Sequence, residues 1–182
     1  MNYKIKIFIC FFALMVGGCR SDQDFTSNND DLAEAPDQEG FDAMLTTTSK
    51  GQLRWQIRYK RMERYSSQKQ SRFFDGVTID FYENGEHSSR VKMREATLNE
   101  RTNEIEFKGN VRIKSDHGIS LFTEKLLWSD SRGKATSDDF VTVVTAESDT
   151  IHGTGFESER SFKNWVIKKP YGVTQKKLNL NE

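Results

Sequence analysis

The side chains best suited to covalent chemistry in this 182-residue sequence are two cysteines, three histidines and a few carboxylate pairs. His87, His117 and His152 stand beside turn signals or in extended segments, with no H-x-x-x-H or His/Cys spacing that could close around a metal ion. There is no G-x-S-x-G elbow and no phosphate-cradling glycine loop. Asp138 and Asp139 are adjacent and would point to opposite faces of an extended chain. Glu104 and Glu106 share a face, but it is the polar face of an alternating run, where two carboxylates read as solvated surface more readily than as an acid–base pair. The pattern argues against an enzyme and implies no cofactor. The residue whose surroundings invite modification is Cys19.

Lys4 and Lys6 precede an apolar core, Ile7 to Val16, followed by Gly17, Gly18 and Cys19. A charged start, an apolar stretch shorter than the roughly 20 residues of a membrane-spanning helix and small residues at its end describe an export signal over residues 1–18. The order Val16-Gly17-Gly18-Cys19 resembles the lipobox of bacterial lipoproteins, which implies diacylglycerol on the Cys19 sulfur and a membrane anchor there. Cys10 leaves with the signal, so no disulfide can form within the mature chain.

The sequence balances 27 Lys and Arg against 27 Asp and Glu, but unevenly along its length. Residues 21–49 hold eight acidic side chains and no basic one, whereas from Lys50 onward twenty-four Lys and Arg face nineteen Asp and Glu. Residues 19–49 read as an acidic, flexible tether with too few apolar groups to offset its ordering entropy. A single domain is expected over residues 50–175, with a tail at 176–182.

Period-two alternation dominates that domain. Leu53, Trp55, Ile57 and Tyr59 alternate with polar residues, and Ile105, Phe107, Gly109, Val111 and Ile113 do the same. Further strands are expected at 74–82, 89–98, 118–123, 125–129, 140–145, 150–156 and 165–167, separated by turn signals such as Asn84-Gly85 and Arg132-Gly133. No stretch keeps a helical period for three turns, although Trp55 to Tyr65 comes nearest. Strands at such spacing indicate an all-β sandwich, jellyroll or barrel. Val77, Val111, Val141 and Val173 recur every thirty or so residues, in keeping with stacked hairpin units that share a core.

Basic residues crowd residues 54–72: Arg54, Arg58, Lys60, Arg61, Arg64, Lys69 and Arg72 could meet the phosphates of anionic glycolipids or an acidic partner, or simply form a solvated strand face. The export signal argues against nucleic acid. The alternating apolar residues could form either a closed core or an open acyl-binding groove; periodicity does not separate the two.

Four motifs in order resemble the LptC family of periplasmic lipopolysaccharide-export proteins. They are Lys50-Gly51-Gln52-Leu53-Arg54-Trp55, Asn103 to Val111 with its "Gly, x, Val" ending, Leu121 to Val143, and Ile151-His152-Gly153-Thr154-Gly155-Phe156. The resemblance implies an open, twisted antiparallel β-jellyroll of the OstA/LptA-like kind whose interior shields lipopolysaccharide acyl chains. It places Ile105, Phe107, Val111, Ile113, Leu121 and Trp128 on that interior. It also implies an inner-membrane ABC transporter at an edge formed by Gly51, Leu53 and Trp55, and an LptA-like bridge protein at Trp165, Val166 and Ile167. The chain would work at the periplasmic face of a Gram-negative cell membrane, the inner one being expected. The lipobox stands where the family pattern has a transmembrane helix. An alternative is an envelope lipoprotein scaffold of similar fold that carries no lipid.

Overall fold

A computed structural model describes residues 35–171, which hold eleven β-strands and no helix. The export signal, Cys19, Val173 and the tail lie outside the described residues. In chain order the strands are β1 (Gln38–Ser49), β2 (Gln52–Tyr65), β3 (Gln70–Phe74), β4 (Val77–Glu83), β5 (Glu86–Met93), β6 (Glu95–Asn99), β7 (Glu104–Ser115), β8 (Ser120–Ser129), β9 (Lys134–Val144), β10 (Thr150–Glu159) and β11 (Trp165–Tyr171). Every pairing is antiparallel, as expected for an all-β fold of hairpins.

Two long strands fork. β2 pairs β4 through Trp55–Arg58 and β3 through Arg61–Tyr65, while β7 pairs β6 through its first half and β5 through its second. Since β3 pairs β6 and β4 pairs β5, the pairings close a ring through β2, β3, β6, β7, β5 and β4. β1 adds outside β2, and β8, β9, β10 and β11 follow outward from β7.

The forks lie on a crease that crosses the sheet. Asp42, Asp75, Gly76, Gly109, Asn110 and Gly155 have positive φ, and pairing registers slip at Lys108/Val111, Thr123/Leu127 and Thr154/Phe156. An extra residue bends a strand and steepens its twist. Gly109 (φ +77°) and Gly155 (φ +80°) adopt the left-handed backbone that side chains disfavour, which gives a physical reason for glycine in two of the motifs. Between the forks, Gly76 N–H donates to the Arg94 carbonyl and Arg94 N–H to that of Gly109.

The crease explains where strand boundaries depart from expectation. The segments 74–82 and 89–98, expected as single strands, break at Asp75-Gly76 and at Arg94, whereas 118–123 and 125–129 fuse into β8. The hint of a helical period in Trp55 to Tyr65 is a phase slip: Trp55, Ile57 and Tyr59 face inward before the bend and Met62 after it.

Residues 38–49, expected within the tether, form β1 and extend the folded unit toward the N-terminus. Lys50 (φ 51°) and Gly51 (φ 77°) make the two-residue turn into β2, with the primed-turn dihedrals that match hairpin twist. None of the β1 side chains is buried, so the strand leaves no alternating apolar signal.

Inside, one row crosses the sheet as Ile57, Ile79, Val91, Ile113, Leu121 and Val143, each directly opposite the next. Beyond the crease, Phe73, Ala96, Phe107 and Leu126 form a second row, and Leu98, Ile105, Trp128 and Ala135 a third. Phe81 joins the two halves, its ring centroid 4.7 Å from that of Trp128 and 6.4 Å from that of Phe107. Each fully buried large side chain contributes about 1.5–3 kcal/mol of transfer free energy. The three recurring valines within the described residues, Val77, Val111 and Val141, all belong to this core.

Candidate functional site

The inner face opens to solvent where β1 and the start of β2 diverge from β3 and β6. A cavity of about 650 Å³ lies there. Its apolar wall is Leu45, Trp55, Tyr59, Met62, Phe73 and Leu98, drawn from four strands. The same inner surface thus runs from exposed Leu45 through Ile57 into the sealed core.

Two polar clamps hold the rim. Arg64 donates from Nε and Nη2 to the two Glu100 carboxylate oxygens at 2.8 and 2.9 Å, and Ser71 Oγ donates to the same carboxylate at 2.8 Å. Hydrogen bonds from Arg64 hold the Glu100 carboxyl below its ordinary value; burial opposes them, and the Ser71 hydrogen bond and the Arg64 charge add to the lowering. On the other side, Arg54 reaches Asp130 at 3.1 Å and Arg160 reaches the same oxygen at 2.9 Å. The Arg160 guanidinium also lies over the Trp128 ring at 5.7 Å. The Asp130 clamp therefore ties the start of β2 to the turn after β8 and to Arg160 after β10.

The six residues expected on the interior, Ile105, Phe107, Val111, Ile113, Leu121 and Trp128, all face inward and all are buried to 2% exposure or less. None of them lines the cavity. Alternation identifies a shared face but not which part of it meets solvent, and the cavity wall gathers residues that sequence gives no reason to group.

At the edges the outcome is divided. Gly51, Leu53 and Trp55 do not form an open edge: β1 pairs with β2 along its length, and Trp55 lines the cavity instead. Among the described strands, the edge on that side is β1. At the other end β11, with Trp165, Val166 and Ile167, pairs only with β10 among the described strands.

The basic run at 54–72 is largely neutralised. Arg54 pairs with Asp130, Arg58 with Asp80, Arg61 with Glu63 and Arg64 with Glu100. Asp80 is buried beneath Arg58, Arg90 and His87; burial pushes its carboxyl up, but the hydrogen bond and charge of Arg90, helped by His87 and Arg58, outweigh that and hold it below the usual range. No cluster of His, Cys, Asp and Glu among the described residues could hold a metal ion.

The family described as "LptC: Lipopolysaccharide-assembly, LptC-related" matches residues 7–168, most of the chain. This chain belongs to that family. Membership makes it a component of lipopolysaccharide transport. No curated protein matches it in sequence. Among solved structures it is similar to LptH of Pseudomonas aeruginosa, described as the LptA-homologous periplasmic component of the conserved lipopolysaccharide transport device. The TM-score is 0.53 at 10% identity, over 63% of this chain and 82% of LptH. That likeness concerns the fold, and it joins the LptC-related chain to the LptA-like jellyroll architecture expected from its sequence.

Proposed function

We propose that the protein is a periplasmic lipopolysaccharide carrier, held to the inner membrane through acylated Cys19, that takes cargo from an Lpt-type ABC transporter and passes it to an LptA-like bridge protein. The observation that carries this reading is the cavity: an inner apolar wall reached from solvent through one side of the sheet and rimmed by charges. Acyl chains would enter against Leu45, Tyr59 and Met62 and run toward Phe107 and Ile113, with the sugar phosphates left at the rim near Arg54 and Arg64. No covalent step is required of this chain. The transporter would meet the β1 edge, and the bridge protein would add a strand to β11, where exposed ladder groups invite augmentation. Lys168, Lys169 and Pro170 at the end of β11 limit unintended strand addition.

Photo-crosslinkers at Leu45, Met62 and Phe107 should capture lipopolysaccharide in cells, whereas one at Glu106 should not. Metabolic fatty-acid labelling should mark wild-type protein and be absent from Cys19→Ser. Equal capture at inward and outward positions would remove the carrier reading.

A second reading, an envelope scaffold that carries no lipid, is favoured by one observation: beyond the cavity the interior is fully packed, with Phe107 and Leu121 at 0% exposure. Capture at Leu45 and Met62 without any at Phe107 would leave lipid at the mouth only; no capture at any of the three would support the scaffold.

A further inference from the structure

The outer face of the sheet, opposite the cavity wall, carries a second feature. Arg90 of β5 stands directly across from Lys114 of β7, and one step along the same face Lys92 stands across from Arg112. Like charges directly opposite each other on one sheet face destabilise the pair, and here two such pairs sit side by side. All four side chains are exposed. Arg90 is held by Asp80 at 2.6 Å. Lys92, Arg112 and Lys114 have no carboxylate partner among the described residues; Arg112 donates only to the Asn110 side chain, at 3.1 Å. The contrast with Arg54, Arg58, Arg61 and Arg64, each of them paired, is sharp.

The cationic block continues into exposed aromatic surface. Phe122, 41% exposed, lies directly across from Arg112. Phe140, 48% exposed, shares a depression with Phe122, and farther along the face Phe140, His152 and Tyr171, the last 57% exposed, pack together at centroid distances of 5.8 to 6.4 Å. Two shallow depressions of about 600 and 440 Å³ meet at Phe122, one over the cations and one toward Phe140. Asp116 lines the first depression and Glu124 and Asp139 the second, but none of them forms an ion pair with Lys92, Arg112 or Lys114, so around the first depression cations outnumber carboxylates. Such cations beside exposed aromatic rings on one broad strand face complement a surface that is anionic at its phosphates and apolar just beneath.

We infer that this outer face is a docking surface for an anionic phospholipid bilayer: Lys92, Arg112 and Lys114 meet headgroup phosphates, while Phe122, Phe140 and Tyr171 rest at the headgroup level. Docked this way, the domain lies with its outer face on the membrane and leaves the cavity on the opposite face of the sheet turned from it. The inference rests on the sheet face alone and does not depend on whether the cavity carries lipid.

The test is lysine footprinting by acetylation on the full chain bound to phosphatidylcholine vesicles with and without phosphatidylglycerol. Site-by-site labelling separates this face from any hold through the N-terminus. With phosphatidylglycerol present, Lys92 and Lys114 should be protected, and exposed Lys50 and Lys69, in the turns at the two ends of β2, should not. Raising the salt to about 0.5 M should release the protection, because screening shortens the reach of surface charge. Arg112→Gln should weaken it roughly fivefold, the scale of one cation at an anionic surface, and Phe122→Ser should weaken it without changing the salt dependence. Identical labelling in both vesicle types would overturn the inference. So would protection by lipopolysaccharide micelles with none on phosphatidylglycerol, which would assign the block to cargo phosphates, or protection that rises with protein concentration alone, which would assign it to a second copy of the chain.

Discussion

The two edge strands, β1 and β11, end the same sheet in different ways. No side chain of β1 is buried, and Phe41, Met44 and Leu45 stand 62%, 52% and 41% exposed, so the strand is held mainly by its ladder to β2. β11 instead sinks Ile167 to 7% exposure and stacks Trp165 on Phe156 at 6.5 Å. An edge that buries little can leave its neighbour at little cost, whereas one locked by side chains moves only with the core. The cavity lies beside the loosely held edge.

Four perturbations break or sharpen that contrast. The largest effect is expected at Gly153, where β11 crosses so closely that an added Cβ would collide with Ile167 Cγ2 and lie 2.6 Å from the Lys169 carbonyl oxygen. Gly153→Val should cost roughly 3 kcal/mol through overpacking, read by chemical denaturation, with β11 amides losing hydrogen-exchange protection first. The corresponding glycine of β1 is more forgiving: an added Cβ on Gly40 would meet the Tyr59 hydroxyl at 3.2 Å, and Gly40→Ala should cost under about 1 kcal/mol.

Next comes side-chain truncation at the two edges. Ile167→Ala should cost about 2–4 kcal/mol, as burial predicts for a core aliphatic, whereas Leu45→Ala, already 41% exposed, should stay within about 1 kcal/mol. Equal losses would mean that β1 is anchored as firmly as β11.

A smaller effect is expected from acid. Because the folded Glu100 carboxyl lies below its ordinary value, held there first by Arg64, the Arg64–Glu100 clamp contributes fully above the unfolded glutamate pKa and is lost as pH falls through the folded one. The melting temperature should therefore drop as pH is lowered through the acid range below that ordinary value, and by less in Glu100→Gln. Asp80, also held low, contributes to the drop in both proteins, so the difference between the two curves isolates the clamp. Identical curves would show that the clamp is without consequence for the fold.

The smallest effect is expected in native-state exchange. In the unmodified chain, amides of β1 should open with lower free energy than those of β7, whose alternate residues are buried along its whole length. Comparable protection in the two strands would remove the reading of β1 as a weakly held edge.

Much of this fold is written locally. The alternation in β2 and β7, the Asn84-Gly85 turn and the inward set from Ile105 to Trp128 follow from period-two patterning and turn chemistry, because a half-buried strand must alternate whatever its partners are. The family motifs carry their reasons in the backbone, with Gly109 and Gly155 supplying left-handed residues at the crease and Gly153 making room for β11. Tertiary structure alone decided the rest. The crease shifts the inward phase within β2 and merges or splits the apparent strands around it, which no local window can distinguish from a chain break. β1 left no apolar pattern because it buries no face, although three consecutive threonines and the Lys50-Gly51 turn were available as signals. The cavity wall joins Leu45 to Leu98, and the cationic block sets Lys92 against Arg112, only through pairings between residues distant in sequence. Alternation assigns a side chain to a face; which faces meet solvent, and which charges meet partners, depends on strand order and register.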